Sequence, residues 1–230
     1  MPATVVLVHG AWHGAWCWDL VVSRLDDAGV PNVAVDNPSV LLLSSTLHDD
    51  ADNVQLVLDE IDGPVVLVGH SYGGAVVTDA GMHDAVAHLV YIAAFALDGD
   101  ESCMENALLG DVGLDLISAF KIDDGVISLD PDGARAAFYH DCPDDVAAAS
   151  VGLLRPQSLN AMAGVPRSIA WRAKPSTYVV CTDDRALPAE MQRSAAARAG
   201  TVVDMAASHS PFLSRPELVA VLLIDLSATY

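Results

Sequence analysis

The stretch PVVLVGHSYGGAVV, Pro64 to Val77, decides the fold. Five residues of strand length and apolar character run directly into Gly69-His70-Ser71-Tyr72-Gly73. Small residues of helical composition follow through Gly81. A G-x-S-x-G pattern set between a buried strand and a helix is the signature of a sharp strand-to-helix turn that forces its serine into strained backbone angles. The turn works only if the flanking positions lack bulk. Gly69 lets strand and helix approach each other, and Gly73 and Gly74 let the helix sit close on the sheet. The Ser71 hydroxyl is then expected at the carboxyl edge of a sheet, at a helix N-terminus whose dipole favours developing negative charge.

Working outward from this turn, buried apolar runs alternate with segments of helical period. That pattern predicts a mainly parallel six-stranded sheet covered by helices on both faces. Strands are expected at Thr4 to Val8, Asn32 to Val35, Pro64 to Val68, Ala87 to Phe95, Thr177 to Cys181 and Thr201 to Met205. Helices are expected at Trp16 to Ala28, with Leu20, Val21, Arg24 and Leu25 inward and Gly29 closing it, and at Leu47 to Ile61, with Val54, Leu58 and Ile61 inward. Two more follow at Ala189 to Arg198 and Pro216 to Ser227. Between Asp98 and Lys174 the alternation breaks down over a stretch too long for an ordinary loop. Residues 98–173 are therefore expected to form a small, partly helical cap inserted into a core of residues 1–97 and 174–230, with helices near Gly133 to His140 and Asp144 to Leu154.

Composition narrows the function classes. The 230 residues suffice for one sizeable core. Acidic residues outnumber basic ones 31 to 11, for a net charge of −20, which argues against a nucleic-acid partner and against anionic lipid surfaces. Met1 to Val8 carries no basic region ahead of its apolar run, and no stretch reaches membrane-spanning length, so the expected location is cytoplasmic. Cys17, Cys103, Cys142 and Cys181 never form a metal-ligand spacing and read as small buried hydrophobes, with no metal expected.

A serine hydroxyl is a weak nucleophile at neutral pH and needs a base that a carboxylate holds in place. Of the histidines that follow Ser71, only His209 lies just beyond the last strand, in Ala206-Ala207-Ser208-His209-Ser210-Pro211, and it is the expected base. His83 and His88 read as exposed or core residues, and His140 as part of the cap. The acid is Asp184 or Asp183. Asp184 is favoured because it sits further into the loop after the fifth strand and can reach across. The two oxyanion donors are expected at the N–H of Tyr72 and at that of Ala11, with Trp12 as the near alternative. His9 and His13 make too small a set for a metal, and His9 reads as a brace for its loop. Trp12, Phe95, Leu187 and Phe212 are expected to line the substrate pocket, joined from the cap by Met104, Phe138, Tyr139 and Trp171.

The segments VLVHGAWHGAWCW, VLVGHSYGGAVV, VYIAAF, LLRPQSL, YVVCTDDRALP and ASHSPFLSRPE resemble those of the α/β-hydrolase fold family. More narrowly, they resemble the plant methyl esterase and hydroxynitrile lyase group and its bacterial hydrolase relatives. The likeness spans essentially the whole chain and is loose in the cap. It implies a triad of Ser71, Asp184 and His209, oxyanion donors at Ala11 and Tyr72, and no cofactor. The lyases place Thr after the first His of the first loop and Lys after the catalytic His, where this chain has Gly10 and Ser210. The resemblance thus implies a serine hydrolase, and an expected apolar pocket with few charges suits a small or medium, mainly neutral carboxylic ester. The alternatives are a lyase-like activity on the same triad and a small-molecule binding protein with vestigial catalysis. A small-molecule ester is the expected partner, and self-association into a homodimer is left open.

Overall fold

The computed structural model describes residues 2–109 and 113–230. Its core alternates strands and helices: β1 (Thr4–Val8), α1 (Asp19–Asp27), β2 (Asn32–Val35), α2 (Leu47–Asp59), β3 (Val65–His70), α3 (Gly73–Ala80) and β4 (Val86–Ile92). An inserted segment follows with α4 (Cys103–Leu109), α5 (Leu114–Ala119), β5 (Phe120–Asp123), β6 (Val126–Leu129), α6 (Pro131–Phe138), α7 (Asp144–Leu153), β7 (Gln157–Ser158) and α8 (Leu159–Met162). The chain then returns to the core through β8 (Ser176–Cys181), α9 (Ala189–Ala196), β9 (Thr201–Met205), α10 (Pro211–Ser214) and α11 (Pro216–Ser227).

All six core strands are parallel, in the order β2-β1-β3-β4-β8-β9. Because side chains alternate across a strand, each run feeds two cores. Val6, Val8 and Leu67 pack with residues of α2 and α3 on one face, and Val5, Leu7, Val66 and Val68 pack with Trp18, α1 and α11 on the other. Burial on both faces is why these strands read as unbroken apolar runs.

Three expectations shift in detail. The helix expected from Trp16 is a 3-10 turn over Ala15–Trp18 leading into α1, whose Val21 and Leu25 face the core while Leu20 and Arg24 turn outward. β4 ends at Ile92 rather than at Phe95, because Ala93 takes a φ of +44° that no strand can continue through. The inserted segment has helices α6 and α7 close to where they were expected. It also builds an antiparallel sheet, β5-β6-β7, for which the sequence shows no clear alternation. No helix among the described residues is long and apolar enough to cross a membrane.

Candidate active site

From β1 the chain moves outward to β2 and then crosses back over β1 to reach β3, so the loops leaving β1 and β3 diverge at the carboxyl edge and open a crevice between them. Ser71 stands there with a φ of +51°, a costly conformation for a residue with a Cβ. The neighbouring strand holds it in place. The Ser71 N–H donates to the Ile92 carbonyl at 3.2 Å, and its own carbonyl accepts from Gly74 at 3.0 Å and Phe95 at 3.1 Å. Glycine at 69 is required by contact, since a Cβ there would stand 2.5 Å from the Gly73 carbonyl oxygen.

The loops after β8 and β9 bring two more groups together. His209 Nδ1 donates to Asp184 Oδ2 at 2.7 Å, with both residues buried. Asp184 is saturated with donors: Oδ1 accepts the N–H of Ala186 at 2.7 Å and of Leu187 at 2.9 Å, and Oδ2 also accepts from Gln192 Nε2 at 2.9 Å. With four donors the carboxylate has no freedom to turn away from the imidazole. Asp183 points into solvent and uses only its backbone N–H, given to Ala207. Gln192 was not foreseen. It shares the buried face of α9 with Ala196, four residues on, and a polar residue on such a face was the available signal. Behind His209, His70 Nε2 donates to the His209 carbonyl at 2.8 Å, so the residue before Ser71 grips the backbone of the imidazole's own residue.

The loop after β1 is braced by two buried histidines. His9 donates from Nδ1 to the Gly10 carbonyl at 2.7 Å and accepts at Nε2 from the Asn37 N–H at 3.0 Å. His13 donates from Nδ1 to the Ala11 carbonyl at 2.8 Å and accepts at Nε2 from the Tyr139 hydroxyl at 2.7 Å. Burial holds His9 at about 4 and His13 at about 3, so both are neutral at pH 7. Trp12 has a φ of +64°, and its N–H points to Gln157 Oε1 at 3.4 Å. Among the described residues, no protein acceptor takes the N–H of Ala11 or of Tyr72.

A narrow cavity of about 20 Å³, room for little more than one water, lies against Ser71, Ala11, Trp12, Tyr72, Phe95 and Leu187. Leu116, Phe120 and Met162 of the inserted segment close it, and none of its lining residues is charged. A larger groove of about 430 Å³ adjoins it and shares Phe95 and Leu187 as wall. Phe212 lies elsewhere. It follows His209 by three residues, and its ring turns to the opposite side of the sheet, 5.0 Å from Trp18 and 4.8 Å from His70. Phe138 stacks on His209 at 5.3 Å, and Tyr139 serves His13. Met104 packs at the margin of the core, and Trp171 donates to the Leu97 carbonyl, so neither reaches the Ser71 cavity. Arg167 and Arg172 are engaged by Asp79, Asp52 and Asp98. Among the described residues, no three His, Cys, Asp or Glu side chains gather as metal ligands.

Sheet order and the strained turn after β3 place this molecule among proteins of the α/β-hydrolase fold. The alpha/beta hydrolase family model matches residues 5–222, and the chain belongs to that family. It is 30% identical to an alpha/beta hydrolase of Aspergillus novofumigatus over 239 residues, 95% of this chain and 94% of that one. Methylesterase 7 of Arabidopsis thaliana is 29% identical over 98% of this chain and 96% of its own. Among solved structures, a pyrethroid hydrolase from Sphingobium faniae JZ-2 has the same fold, with a TM-score of 0.87 at 24% identity over 99% of both chains. The chain is thus an enzyme of a hydrolase family whose members include proteins named as esterases.

Proposed function

We propose that this enzyme is a serine esterase that cleaves a small or medium, mainly neutral carboxylic ester through an acyl-enzyme intermediate. One observation carries the reading: the 2.7 Å bond from His209 Nδ1 to a fully engaged Asp184. A proton fixed on Nδ1 leaves Nε2 with a free lone pair, which is what a general base for the Ser71 hydroxyl requires. As Ser71 Oγ attacks the ester carbonyl, its proton passes to His209 Nε2, and Asp184 stabilises the resulting imidazolium. The N–H groups of Ala11 and Tyr72, without protein acceptors, serve the oxyanion. His209 then protonates the leaving alcohol, and water repeats the sequence to free the acid.

The cavity walls support the substrate class. With no charged side chain among the described residues lining the cavity at Ser71 and a protein charge of −20, an anionic group beside the reacting carbonyl is disfavoured. The small cavity suits a short group next to the nucleophile, while the adjoining groove takes a longer remainder past Phe95 and Leu187. In this reading residues 98–173 act as a cap that keeps water from the apolar wall.

Fluorophosphonate labelling with peptide mass mapping tests the nucleophile, and label is expected on Ser71. Ser71→Ala is expected to abolish labelling and to lower kcat on p-nitrophenyl acetate by at least about three orders of magnitude while keeping the fold. An unlabelled Ser71 in the intact protein, or cyanide release from mandelonitrile without ester turnover, would overturn the proposal.

A further inference from the structure

Asp50 has no part in the chemistry described above, yet it is a buried carboxyl at the head of a chain of hydrogen bonds that ends in the loop after β1. Its placement begins with the start of α2. Thr46 and Asp49 form a reciprocal capping box at the helix N-terminus, which turns Asp49 outward, and one residue further round the helix Asp50 faces in. There Oδ1 accepts the N–H of Ser39 at 2.8 Å, while Oδ2 accepts the Ser39 hydroxyl and the Tyr72 hydroxyl, each at 2.6 Å. Burial raises the Asp50 carboxyl to about 6, and its hydrogen bonds from Ser39 and Tyr72 oppose that rise, so at neutral pH the group is a carboxylate that can only accept.

That one charge sets the direction of every donor beyond it. Ser39 gives its single hydroxyl proton to Asp50, so its oxygen is left to accept, and Gln157 Nε2 donates to it at 2.9 Å. The amide of Gln157 is thereby oriented with Oε1 toward the Trp12 N–H at 3.4 Å. Trp12 N–H belongs to the same peptide plane as the Ala11 carbonyl, which His13 holds from the other side. The plane is gripped at both ends. Ala11, whose N–H is left free, precedes this plane directly, and Tyr72, the other proposed oxyanion donor, is tied to Asp50 by its side chain.

We propose that Asp50 is a positioning residue that orients both oxyanion donors, Tyr72 directly and Ala11 through Ser39, Gln157 and the adjoining Ala11–Trp12 peptide that they hold. The inference rests on the esterase reading above. It makes a demand that simple packing would not. In Asp50→Asn one acceptor oxygen becomes a donor of nearly the same size. Ser39 must then accept from the new amide and send its proton the other way, toward Gln157. The Gln157 amide has to flip to receive it, and its NH₂ then meets the Trp12 N–H, donor against donor. A carboxylate at position 157 removes that conflict, because it accepts from Ser39 and from Trp12 together.

The test is a reciprocal pair of variants on p-nitrophenyl acetate. Asp50→Asn is expected to lower kcat about 10- to 30-fold, less than outright loss of an oxyanion donor, with KM within about twofold. Gln157→Glu, which asks one Ser39 proton to serve two carboxylates, is expected to lose about tenfold. The double variant is expected to exceed both singles and return to within about threefold of the parent. The Trp12 amide resonance in a ¹H–¹⁵N spectrum should move in Asp50→Asn and return in the double variant. Undiminished kcat in Asp50→Asn, a double variant no faster than that single, or an unmoved Trp12 resonance would each overturn the proposal. Should Asp50→Asn not fold, Ser39→Ala cuts the chain at one hydroxyl and is expected to slow turnover by a similar factor, and no slowing would overturn it. If the parent protein neither turns over the ester nor labels at Ser71, the esterase reading falls, and the Trp12 resonance still decides the link to Asp50.

Discussion

Asp183 and Asp184 are adjacent in the chain and opposite in environment. The backbone at the end of β8 turns one carboxylate into solvent and the other into a pocket of four donors, one of them the His209 ring. An amide in place of Asp184 offers its NH₂ to His209 or forces a turn that abandons the backbone donors, and either outcome shifts the imidazole proton to Nε2, where the base must be empty. Asp184→Asn is therefore expected to lower kcat by about 10³- to 10⁴-fold with little change in KM, and Asp183→Asn to stay within about twofold. Steady-state kinetics on one ester decides it, and comparable losses in both variants would leave Asp183 as a second candidate for the acid. At this scale, sequence reasoning named candidates whose chemistry has a local pattern. Ser71 has its flanking glycines, and His209 and Asp184 have their places after late strands. It did not name the buried polar residues that hydrogen-bond around the site. Ser39 and Gln157 meet across 118 positions of chain, and no spacing announces such a contact, whereas Gln192 reaches Asp184 across only eight. Phe212 was expected in the pocket because it is near His209 in sequence, but the turn into α10 carries its ring to the other face of the sheet.

Elements differ in legibility for the same reason that they differ in tolerance. β1, buried on both faces, has no polar alternative and lies where the sequence pattern puts it, and the edge strands β2 and β9 also occupy their expected ranges although much of each is exposed. The small sheet of the inserted segment is half exposed, with Lys121, Ile122 and Asp123 of β5 all open to solvent, so its apolar pattern is broken and the sequence gives no expectation of strands there. The crossing of β3 and α3 shows the other extreme. A methyl group at Gly69 would meet the carbonyl oxygen of Gly73 at 2.5 Å and the nitrogen of Gly74 at 2.8 Å, both backbone atoms of the turn that presents Ser71. Neither can move without unmaking the elbow. Gly69→Ala is expected to destabilise the fold by at least about 3 kcal/mol, the scale of severe core overpacking. Gly152 in α7 has nothing within 4 Å of its would-be Cβ, so Gly152→Ala is expected to stabilise by about 0.5–1 kcal/mol. Urea midpoints of the two variants test the contrast, and equal shifts would contradict it.

For the molecule as a whole, the same buried histidines that brace the site set its response to acid. His9 and His13 each use one ring nitrogen as donor and the other as acceptor, so a second proton would face an N–H from Asn37 in the first case and the Tyr139 hydroxyl in the second. Burial lowers His9 to about 4 and His13 to about 3, and it also pushes His70 well below the usual range. A depressed folded value means that the unfolded chain takes protons first. The stability these groups confer is complete above about pH 6.5 and is lost as pH falls toward 4 and 3, at roughly 2 kcal/mol each by pH 5 for His9 and His13. Asp50 works in the opposite sense. Its folded value of about 6 lies above that of a free carboxyl, so the cost of its buried charge is relieved as pH drops through 6, worth only about 1.4 kcal/mol by pH 5. Exposed carboxylates in water titrate near about 4, so the self-repulsion of a chain at −20 is little relieved within this window. Three histidines outweigh one aspartate, and the melting temperature is expected to fall by at least about 5 °C between pH 7 and pH 5. Asp50→Asn, which lacks the compensating group, should fall more steeply over the same range. Thermal melts monitored by circular dichroism at fixed ionic strength read both slopes, and a flat or rising parent curve would contradict the assignment of these rings as neutral braces.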